Sequence, residues 1–240
     1  MDGQVIQRLR KENPFMPLQD IIHEILLQEI VTFQLLPGSK INESHVAKTL
    51  GVSRSPVNAA LQRLAKNQYV EKSGAYRVAS FSEKECKDMM ELAVQLEAYA
   101  AGRAVMIMTD KQLDELYELA YLLQKKGWEN TKRRNICYCS ETIELERQFH
   151  RKIICLADHP LLLAIYDQIK YRLFRYRSYL MYNPPKGYYS IVSKDHLIIC
   201  DVLKLRNKVM AEAVVQRHVS FAENFLKDIM DKRLYMGNEE

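Results

Sequence analysis

The sequence predicts a mainly α-helical protein with one β-hairpin in its first third. Only 8 glycines and 7 prolines occur among 240 residues, so few positions interrupt a helix. Apolar residues recur at helical spacing over most of the chain, and only residues 69–78 form short β-prone runs. With 48% hydrophobic and 27% charged residues, the chain has the composition of a globular protein, long enough for one large domain or two modest ones.

Three helices are predicted before residue 67, after a tail or loose first turn over residues 1–17. Asn42 is a suitable N-cap for the second helix and Ser53 for the third, because their side chains can accept hydrogen bonds from free helix N–H groups. Gly51 supplies the tight turn between these two helices, and Pro37-Gly38 ends the first. The helices run from Leu18 to about Gln34, from Glu43 to Leu50, and after Ser53 to about Lys66.

A β-hairpin is predicted after the third helix. Tyr69-Val70-Glu71 and Tyr76-Arg77-Val78 are short β-prone runs, and Ser73-Gly74-Ala75 can form the turn between them. Three helices with a tight turn between the second and third, followed by a hairpin, are the elements of a winged helix-turn-helix. This first domain is expected to span residues 18–80.

The rest of the chain, residues 81–240, is predicted to form an all-α helical bundle. Two capping boxes, Ser82-x-x-Glu85 and Thr109-x-x-Gln112, open its first two helices. A polar, basic connector is expected at 129–135, and Asp158 and Asn207 are suitable caps for later helices. The predicted helices are Glu83–Met108, Asp110–Lys126, Tyr138–Leu156, Pro160–Tyr182 (ended by Pro184-Pro185), Tyr189–Leu205 and Lys208–Lys232.

The positive charge of the chain is concentrated in the first domain. Between residues 40 and 77, seven basic residues stand against two acidic ones, a surplus of +5 that equals the net charge of the whole chain. Contacts to phosphates supply most of the non-specific affinity of DNA-binding proteins, so this distribution favours a nucleic-acid partner. Taken alone, the charge fits a solvated helix face equally well. The basic residues are Lys40, Lys48, Arg54, Arg63, Lys66, Lys72 and Arg77.

The helix-turn-helix gives the basic residues a specific use. In this motif the second helix enters the major groove, and its N-terminal residues meet base edges. Arg54 can bond guanine O6 and N7, and Asn58, one turn further on, can pair with adenine. Ser53 and Ser55 suit phosphates, and Gly74 allows the wing tip to approach a groove closely. We therefore expect these five residues to contact DNA.

The segment LLPGSKINESHVAKTLGVSRSPVNAALQRLAKNQYVEKSGAYRV resembles the winged helix of GntR-family regulators. The likeness covers the PG turn, the I-N-E-x-x-V-A helix, the G-V-S-R-x-P-V core, the A-L-x-x-L continuation and the glycine wing. Two positions depart from the family, which commonly has arginine at the place of Asn58 and often at that of Ser44. Because both positions contact bases or phosphates in family members, the resemblance implies an operator that differs from the family norm.

In the second domain, three of the six histidines and one glutamate are candidates for a shared site. Glu146 and His150 are four residues apart, so they project from one helix face about one turn apart. His196 and His218 lie on later helices, and a bundle can converge such side chains into a metal site. Spacing alone does not establish a metal, because scattered histidines also fit core or surface roles. Such roles are predicted for the other three: His23, His45 and His159.

The segments LERQFHRKIICLADHPLL, SKDHLIICDVL and AEAVVQRHV are similar to the helical domain of the FadR branch of that family, the FCD type. In that domain a D-x-x-x-H pair and two later histidines bind one divalent metal. The resemblance implies four ligands here, with glutamate in place of the usual aspartate: Glu146, His150, His196 and His218. Such a set suits Zn²⁺ or Ni²⁺ better than Mg²⁺ or Ca²⁺. Family members often carry arginine at the position of Ala93, near the ligand cavity, so its absence weakens the case for a carboxylate effector.

The run Lys170–Arg177 mixes basic and aromatic residues. A run of this kind can form a second nucleic-acid surface. The preferred interpretation is an amphipathic helix whose apolar face is turned towards the bundle or a dimer partner.

The five cysteines are predicted to be reduced thiols. Their number is odd, and the pair Cys137 and Cys139 lacks the second Cys/His pair that a closed zinc site needs. No apolar run approaches the ~20 residues that span a membrane, and the N-terminus has no apolar signal region. We therefore expect a soluble protein of the cytoplasm.

Together these features favour a sequence-specific, DNA-binding transcriptional regulator rather than an enzyme. Symmetric half-sites need a two-fold protein, so a homodimer formed through residues 81–240 is expected. The other expected partners are a double-stranded DNA operator and a small-molecule effector, with organic acids among the candidates. Two alternatives stay open: a metal-dependent enzyme with Glu146 as general base, and a constitutive DNA-binding dimer. The enzyme is disfavoured because the sequence has no HExxH spacing and no nucleophile or oxyanion motif.

Overall fold

The computed structural model of the protein describes residues 6, 9, 11, 14–80, 82–133, 136–182 and 188–234. Its contacts divide the chain into two compact units, Met1–Phe81 and Ser82–Glu240. Within the described ranges, no helix combines the length and the hydropathy of a membrane span.

The first unit contains helices and a small antiparallel sheet. Its elements are α1 (Leu18–Val31), β1 (Lys40–Ile41), α2 (Glu43–Leu50), α3 (Arg54–Lys66), β2 (Val70–Ser73) and β3 (Ala75–Val78). The strands lie in the order β1-β3-β2, so Arg77 of β3 pairs with Lys40 on one side and Glu71 on the other. The predicted helix-turn-helix and hairpin are confirmed. β1 was not predicted, because a strand of two residues carries no alternating pattern.

The turn between α2 and α3 depends on two residues named from the sequence. The Asn42 side chain accepts hydrogen bonds from the backbone N–H groups of Ser44 and His45, at 3.0 and 3.1 Å. Gly51 has φ 65°, a left-handed conformation that glycine adopts without strain. The cap predicted at Ser53 is wrong in one respect, because its side chain makes no capping hydrogen bond. The third residue of α3 is Pro56, which has no N–H to donate to that hydroxyl.

The stretch around α1 differs from the prediction at both ends. The helix ends at Val31 rather than Gln34, because Phe33 takes φ 60° and turns the chain away. Before α1, Ile6 and Leu9 are helical and buried, in the part of the chain where a tail or loose first turn was predicted. Their spacing of three residues is that of side chains on one helix face.

One face of α3 builds the core of the first unit. Val57, Leu61 and Leu64 are fully buried at helical spacing, and α3 packs against α1. The opposite face is left open to solvent at the N-terminal end of the helix, where Arg54 and Ser55 are exposed.

The described part of the second unit is a bundle of helices, as predicted. They are α4 (Glu83–Ile107), α5 (Asp110–Arg133), α6 (Ile136–Leu156), α7 (Pro160–Tyr182), α8 (Tyr188–Lys204) and α9 (Lys208–Leu234). α4 packs against α9, α6 and α7, while α5 packs against α8 and α6. Residues 88–105 of α4 therefore lie at the centre of the bundle.

The caps predicted for α4, α5 and α9 are confirmed. The Ser82 hydroxyl accepts from the N–H of Glu85 at 3.2 Å. Thr109 and Gln112 form a reciprocal capping box, in which each backbone N–H donates to the other side chain. The Asn207 side chain accepts from the N–H of Met210 at 3.0 Å.

In this unit the end of α5 and the cap of α7 differ from the prediction, while the other helix ends lie within two residues of it. α5 continues to Arg133, so most of the connector expected at 129–135 is helical, because this stretch holds no proline and its Glu, Lys and Arg residues are good helix formers. The cap of α7 is His159 rather than Asp158, since Nδ1 of His159 accepts from the N–H of Leu162 at 3.3 Å. The helix stop predicted at Pro184-Pro185 lies outside the described residues.

Candidate functional site

The N-terminal end of α3 presents the side chains that the sequence assigned to DNA. Ser53, Arg54 and Ser55 are all exposed. Within the described part of the chain, the Arg54 guanidinium has no hydrogen-bond or ion-pair partner. A long cation that is free at the start of such a helix can reach a base or a phosphate without breaking an existing contact.

Asn58 is half-buried and already engaged. Its Nδ2 donates to Oε2 of Glu43 at 2.9 Å, and its Oδ1 accepts from Nε2 of Gln62 at 2.7 Å. These contacts link α2 to α3 and fix which end of the amide points along the helix. Neither Glu43 nor Gln62 was assigned a role from the sequence, because the first contact joins residues 15 positions apart.

The wing and the basic residues complete this surface. Gly74 has φ 71° between β2 and β3, and the space around it is open. All seven basic residues between positions 40 and 77 are exposed. Lys72 lies over the Tyr76 ring at 5.0 Å, and Arg77 donates to the backbone oxygen of Gly38. The first unit thus offers exposed positive charge of the kind that phosphate contacts require.

The second unit brings four predicted residues together. One potential ligand atom from each of Glu146, His150, His196 and His218 lies within 4.8 Å of the others. Oε2 of Glu146 lies 3.2 Å from Nε2 of His150 and 3.1 Å from Nε2 of His196. The rings of His150 and His218 stack at 5.3 Å, and those of His196 and His218 meet edge to face at 4.6 Å. We refer to these four residues as the histidine cluster.

Three helices supply the histidine cluster. Glu146 and His150 project from one face of α6, His196 comes from α8 and His218 from α9. The three histidines are at most 5% exposed, so little water competes for their nitrogen atoms. Donors about 2.1 Å from one shared ion lie within about 4.2 Å of each other, so the cluster needs only a small contraction to hold a metal.

A second layer of charge supports the cluster. Glu97 of α4 is fully buried, and its Oε2 lies 2.6 Å from Nδ1 of His150. Its Oε1 accepts from Nη2 of Arg177 at 3.0 Å and from the Tyr166 hydroxyl at 3.3 Å. Burial alone would raise the pKa of Glu97, but the charges of Arg177 and His150 and their hydrogen bonds outweigh it and lower the pKa to about 2.

The sequence did not predict this layer. The amphipathic helix expected for the run at 170–177 is not observed, because residues 173–178 are all buried, the charged Arg175 and Arg177 included. The available signal was a charged residue within an apolar stretch, which also describes Glu97 in AVQLEAYAA. Such residues are almost never fully buried unless they are paired.

The histidines of the cluster differ in basicity. Burial tends to lower the pKa of His150, but the Glu97 and Glu146 carboxylates raise it above its usual value. The pKa of His218 falls to about 4, because burial and the neighbouring His196 and His150 disfavour its charged form. The pKa of Glu146 is held well below its usual value, since the two histidines it contacts outweigh its burial. The cluster therefore holds an ionised carboxylate beside imidazoles, which is the donor set of a metal site.

Asp195 lies on the other side of His218. It accepts from Nη2 of Arg217 at 2.7 Å, and its Oδ2 is 3.5 Å from Nδ1 of His218. Burial would raise the pKa of Asp195, but these two neighbours lower it.

Comparison with known proteins identifies the family to which this chain is similar. Residues 18–74 match the family described as bacterial regulatory proteins, gntR family, and residues 88–221 match the FCD domain. The HTH-type transcriptional repressor RspR of Escherichia coli (strain K12) is 24% identical over 233 residues, which cover 95% of this chain and 97% of RspR. The HTH-type transcriptional regulator YdhC of Bacillus subtilis (strain 168) is 24% identical over 205 residues, which cover 82% of this chain and 85% of YdhC.

Solved structures agree on the fold. Escherichia coli McbR/YncC has a TM-score of 0.62 at 20% identity, covering 89% of this chain and 99% of its own. The match to the FCD domain spans more than half of the chain and includes all four residues of the histidine cluster. The chain is therefore a transcriptional regulator of the GntR family, in which a GntR DNA-binding domain precedes an FCD effector-binding domain.

Proposed function

We propose that this regulator binds a double-stranded DNA operator with an affinity that depends on a small-molecule effector and on a divalent metal in the histidine cluster. The observation that carries the proposal is the convergence of one carboxylate and three imidazoles within 4.8 Å, inside the effector-binding domain. Operator binding belongs to the first unit, over residues 18–80, and effector binding and dimerisation to residues 81–240.

The operator is read from the N-terminal end of α3. Arg54 bonds a guanine and Asn58 an adenine, Ser53 and Ser55 contact phosphates, and the wing tip at Gly74 enters a neighbouring groove. The exposed, unpartnered Arg54 supports this assignment. Asn58 keeps one amide hydrogen and one lone pair beyond its contacts to Glu43 and Gln62, which are the two groups that adenine needs.

The metal is Zn²⁺ or Ni²⁺, held by Glu146, His150, His196 and His218. Three imidazole nitrogens with one carboxylate oxygen favour these ions over Mg²⁺ and Ca²⁺, which prefer oxygen ligands. When bound, such an ion supplies a Lewis-acid anchor to which an oxygen of the effector can be attached. The glutamate at position 146 has one methylene more than the aspartate usual in the family, and it keeps the same type of donor.

The effector is a small molecule, and an organic acid is one candidate class. Ala93 is fully buried in α4, at the position where family members often carry arginine, so any anion must be held by other groups in this chain. The regulator acts as a homodimer, since two identical half-sites of a symmetric operator require a two-fold protein. It acts in the cytoplasm, where the operator DNA is.

The dependence of operator affinity on the metal and the effector has a simple physical basis. The histidine cluster joins α6, α8 and α9, so a metal bound there restricts the arrangement of three helices at once. A ligand that prefers one arrangement shifts the population of the domain towards it. An effector oxygen on the metal would act on the same equilibrium.

Two measurements test the proposal. Selection of bound DNA from a random pool should yield a symmetric consensus. Elemental analysis should find one divalent metal per chain in the wild type, and none in a His196→Ala, His218→Ala double variant. His159→Ala is the matched control, because it removes an imidazole from the same domain but leaves the cluster intact. If the wild type and the double variant both contain negligible metal, the proposed metal site is wrong and the histidines are ordinary core residues.

A further inference from the structure

We propose that Glu97, which is not one of the four cluster residues, is a positioning residue that directs Nε2 of His150 into the metal site. The inference rests on the metal site of the proposed function. It starts from the two nitrogen atoms of His150, which contact different carboxylates. Nδ1 lies 2.6 Å from Glu97, and Nε2 lies 3.2 Å from Glu146.

The short contact to Glu97 determines where the proton of His150 sits when the ring is neutral. An ionised carboxylate can only accept a hydrogen bond, so Nδ1 must carry the hydrogen. The lone pair is then on Nε2, which faces Glu146 in the cluster. A histidine ligand is commonly oriented in this way, by a carboxylate that takes the hydrogen of its other nitrogen.

Glu97 is itself held in place by groups that no metal ligand uses. Oε2 faces His150, while Oε1 accepts from Arg177 and from Tyr166. Both oxygen atoms are therefore occupied, and the carboxylate cannot rotate towards the cluster without losing the contact to Arg177. The Arg177 charge balances that of Glu97 in a position that solvent does not reach, since Glu97 is 0% exposed.

The other two histidines of the cluster lack such an anchor among the described residues. Nδ1 of His196 is buried without a hydrogen-bond partner, and Nδ1 of His218 is 3.5 Å from Asp195, too far for a good hydrogen bond. His150 is thus the ring whose orientation the protein fixes most firmly. The loss of Glu97 should weaken metal binding more than the loss of any other single hydrogen bond around the cluster.

The experiment measures Zn²⁺ affinity by competition with a chelator, together with the ¹⁵N NMR signals of the His150 ring in the zinc-loaded protein. The variants are Glu97→Gln, Glu97→Leu with Arg177→Met, and Tyr166→Phe as the matched control. The double variant removes both buried charges together, so it tests the proposal even if the unpaired Arg177 prevents Glu97→Gln from folding. Tyr166→Phe removes a hydrogen bond to Glu97 but leaves its contact with His150.

We expect the single and the double variant at Glu97 to bind zinc about 10–100-fold more weakly than the wild type. In both, the NMR signal of a single His150 tautomer coordinated through Nε2 should be lost. Tyr166→Phe should stay close to the wild type in both respects. Wild-type zinc affinity and an unchanged His150 signal in the variants would overturn this inference alone. A wild type that binds no zinc would overturn it together with the proposed metal site.

Discussion

Two arginines show how one type of side chain takes different roles in this protein. Arg54 is exposed at the start of α3, whereas Arg177 is buried in α7 and donates to Glu97. The sequence predicted a role for the first because it stands in a recognisable motif. It could not predict the second, since Arg177 and Glu97 are 80 residues apart and meet only because α4 packs against α7.

Arg54→Ala should abolish the preference for the operator over random DNA while leaving weak, salt-sensitive binding. The loss of a bidentate contact to guanine costs about 1–3 kcal/mol per half-site, and a dimer loses two such contacts. Lys66→Ala is the control, because it removes an exposed positive charge from the other end of the same helix. The measurement is a binding titration on the selected operator and on random DNA. Unchanged operator affinity in Arg54→Ala would refute the docking of α3.

Asn58→Arg should change the preferred base at one symmetric pair of operator positions, because arginine favours guanine where asparagine favours adenine. Glu43→Gln should alter the same positions more weakly, since Glu43 orients the Asn58 amide from α2. Selection from a random pool with each variant gives the consensus. If all consensus sequences are identical, Asn58 does not read a base.

Zinc binding near neutral pH should release a proton from His150 and none from His218. The pKa of His150 is raised above its usual value, so this ring is still partly protonated at a pH where a free imidazole is neutral. His218, with a pKa of about 4, is already neutral. As the pH is lowered, metal affinity should therefore begin to fall already above the usual imidazole pKa of about 6.5. Calorimetric titration in buffers of different ionisation enthalpy counts the protons, and a count of zero at pH 6.5 would contradict the assignment.

At the scale of elements, the bounds of most helices follow from local signals. Capping residues, glycines and helical spacing of apolar residues correctly placed α2 and the hairpin, and the bounds predicted for α7 match although its predicted cap does not. The failures have two causes: a pairing contact that the local pattern does not contain, and a polar stretch that was read as a connector although it can be helical. β1 is ordered by pairing with β3, and α5 runs past a polar stretch that contains no helix breaker.

The two caps predicted around the turn between α2 and α3 should behave differently in unfolding experiments. Asn42→Ala should cost about 1 kcal/mol of stability, because two backbone N–H groups lose their acceptor. Ser53→Ala, the matched control, should cost almost nothing, since the Ser53 hydroxyl makes no capping bond. Urea unfolding of the full chain without DNA compares them. Equal losses would show that Ser53 caps α3 after all.

At the scale of the whole molecule, the sequence predicted the four residues of the histidine cluster but not the residues that contact them from behind. The resemblance to the FCD type named the four cluster residues, and the structure brings them within 4.8 Å of one another. Spacing could not have done so, because α6, α8 and α9 meet only in the folded bundle. The groups behind the cluster, Glu97 and Asp195, were assigned no role from the sequence, because their contacts with His150 and His218 form only when the helices pack.

The central claim is that the state of the second domain sets the affinity of the first for DNA. The most direct test is two pairs of titrations on the wild type. The first pair measures operator binding with and without bound zinc, and the second measures zinc binding with and without bound operator. Because coupling is reciprocal, both pairs should give the same ratio, about ten- to hundred-fold, and the His196→Ala, His218→Ala variant should show no dependence on zinc. Identical operator affinity in the metal-free and metal-loaded protein would contradict the claim and reduce the metal to a structural role.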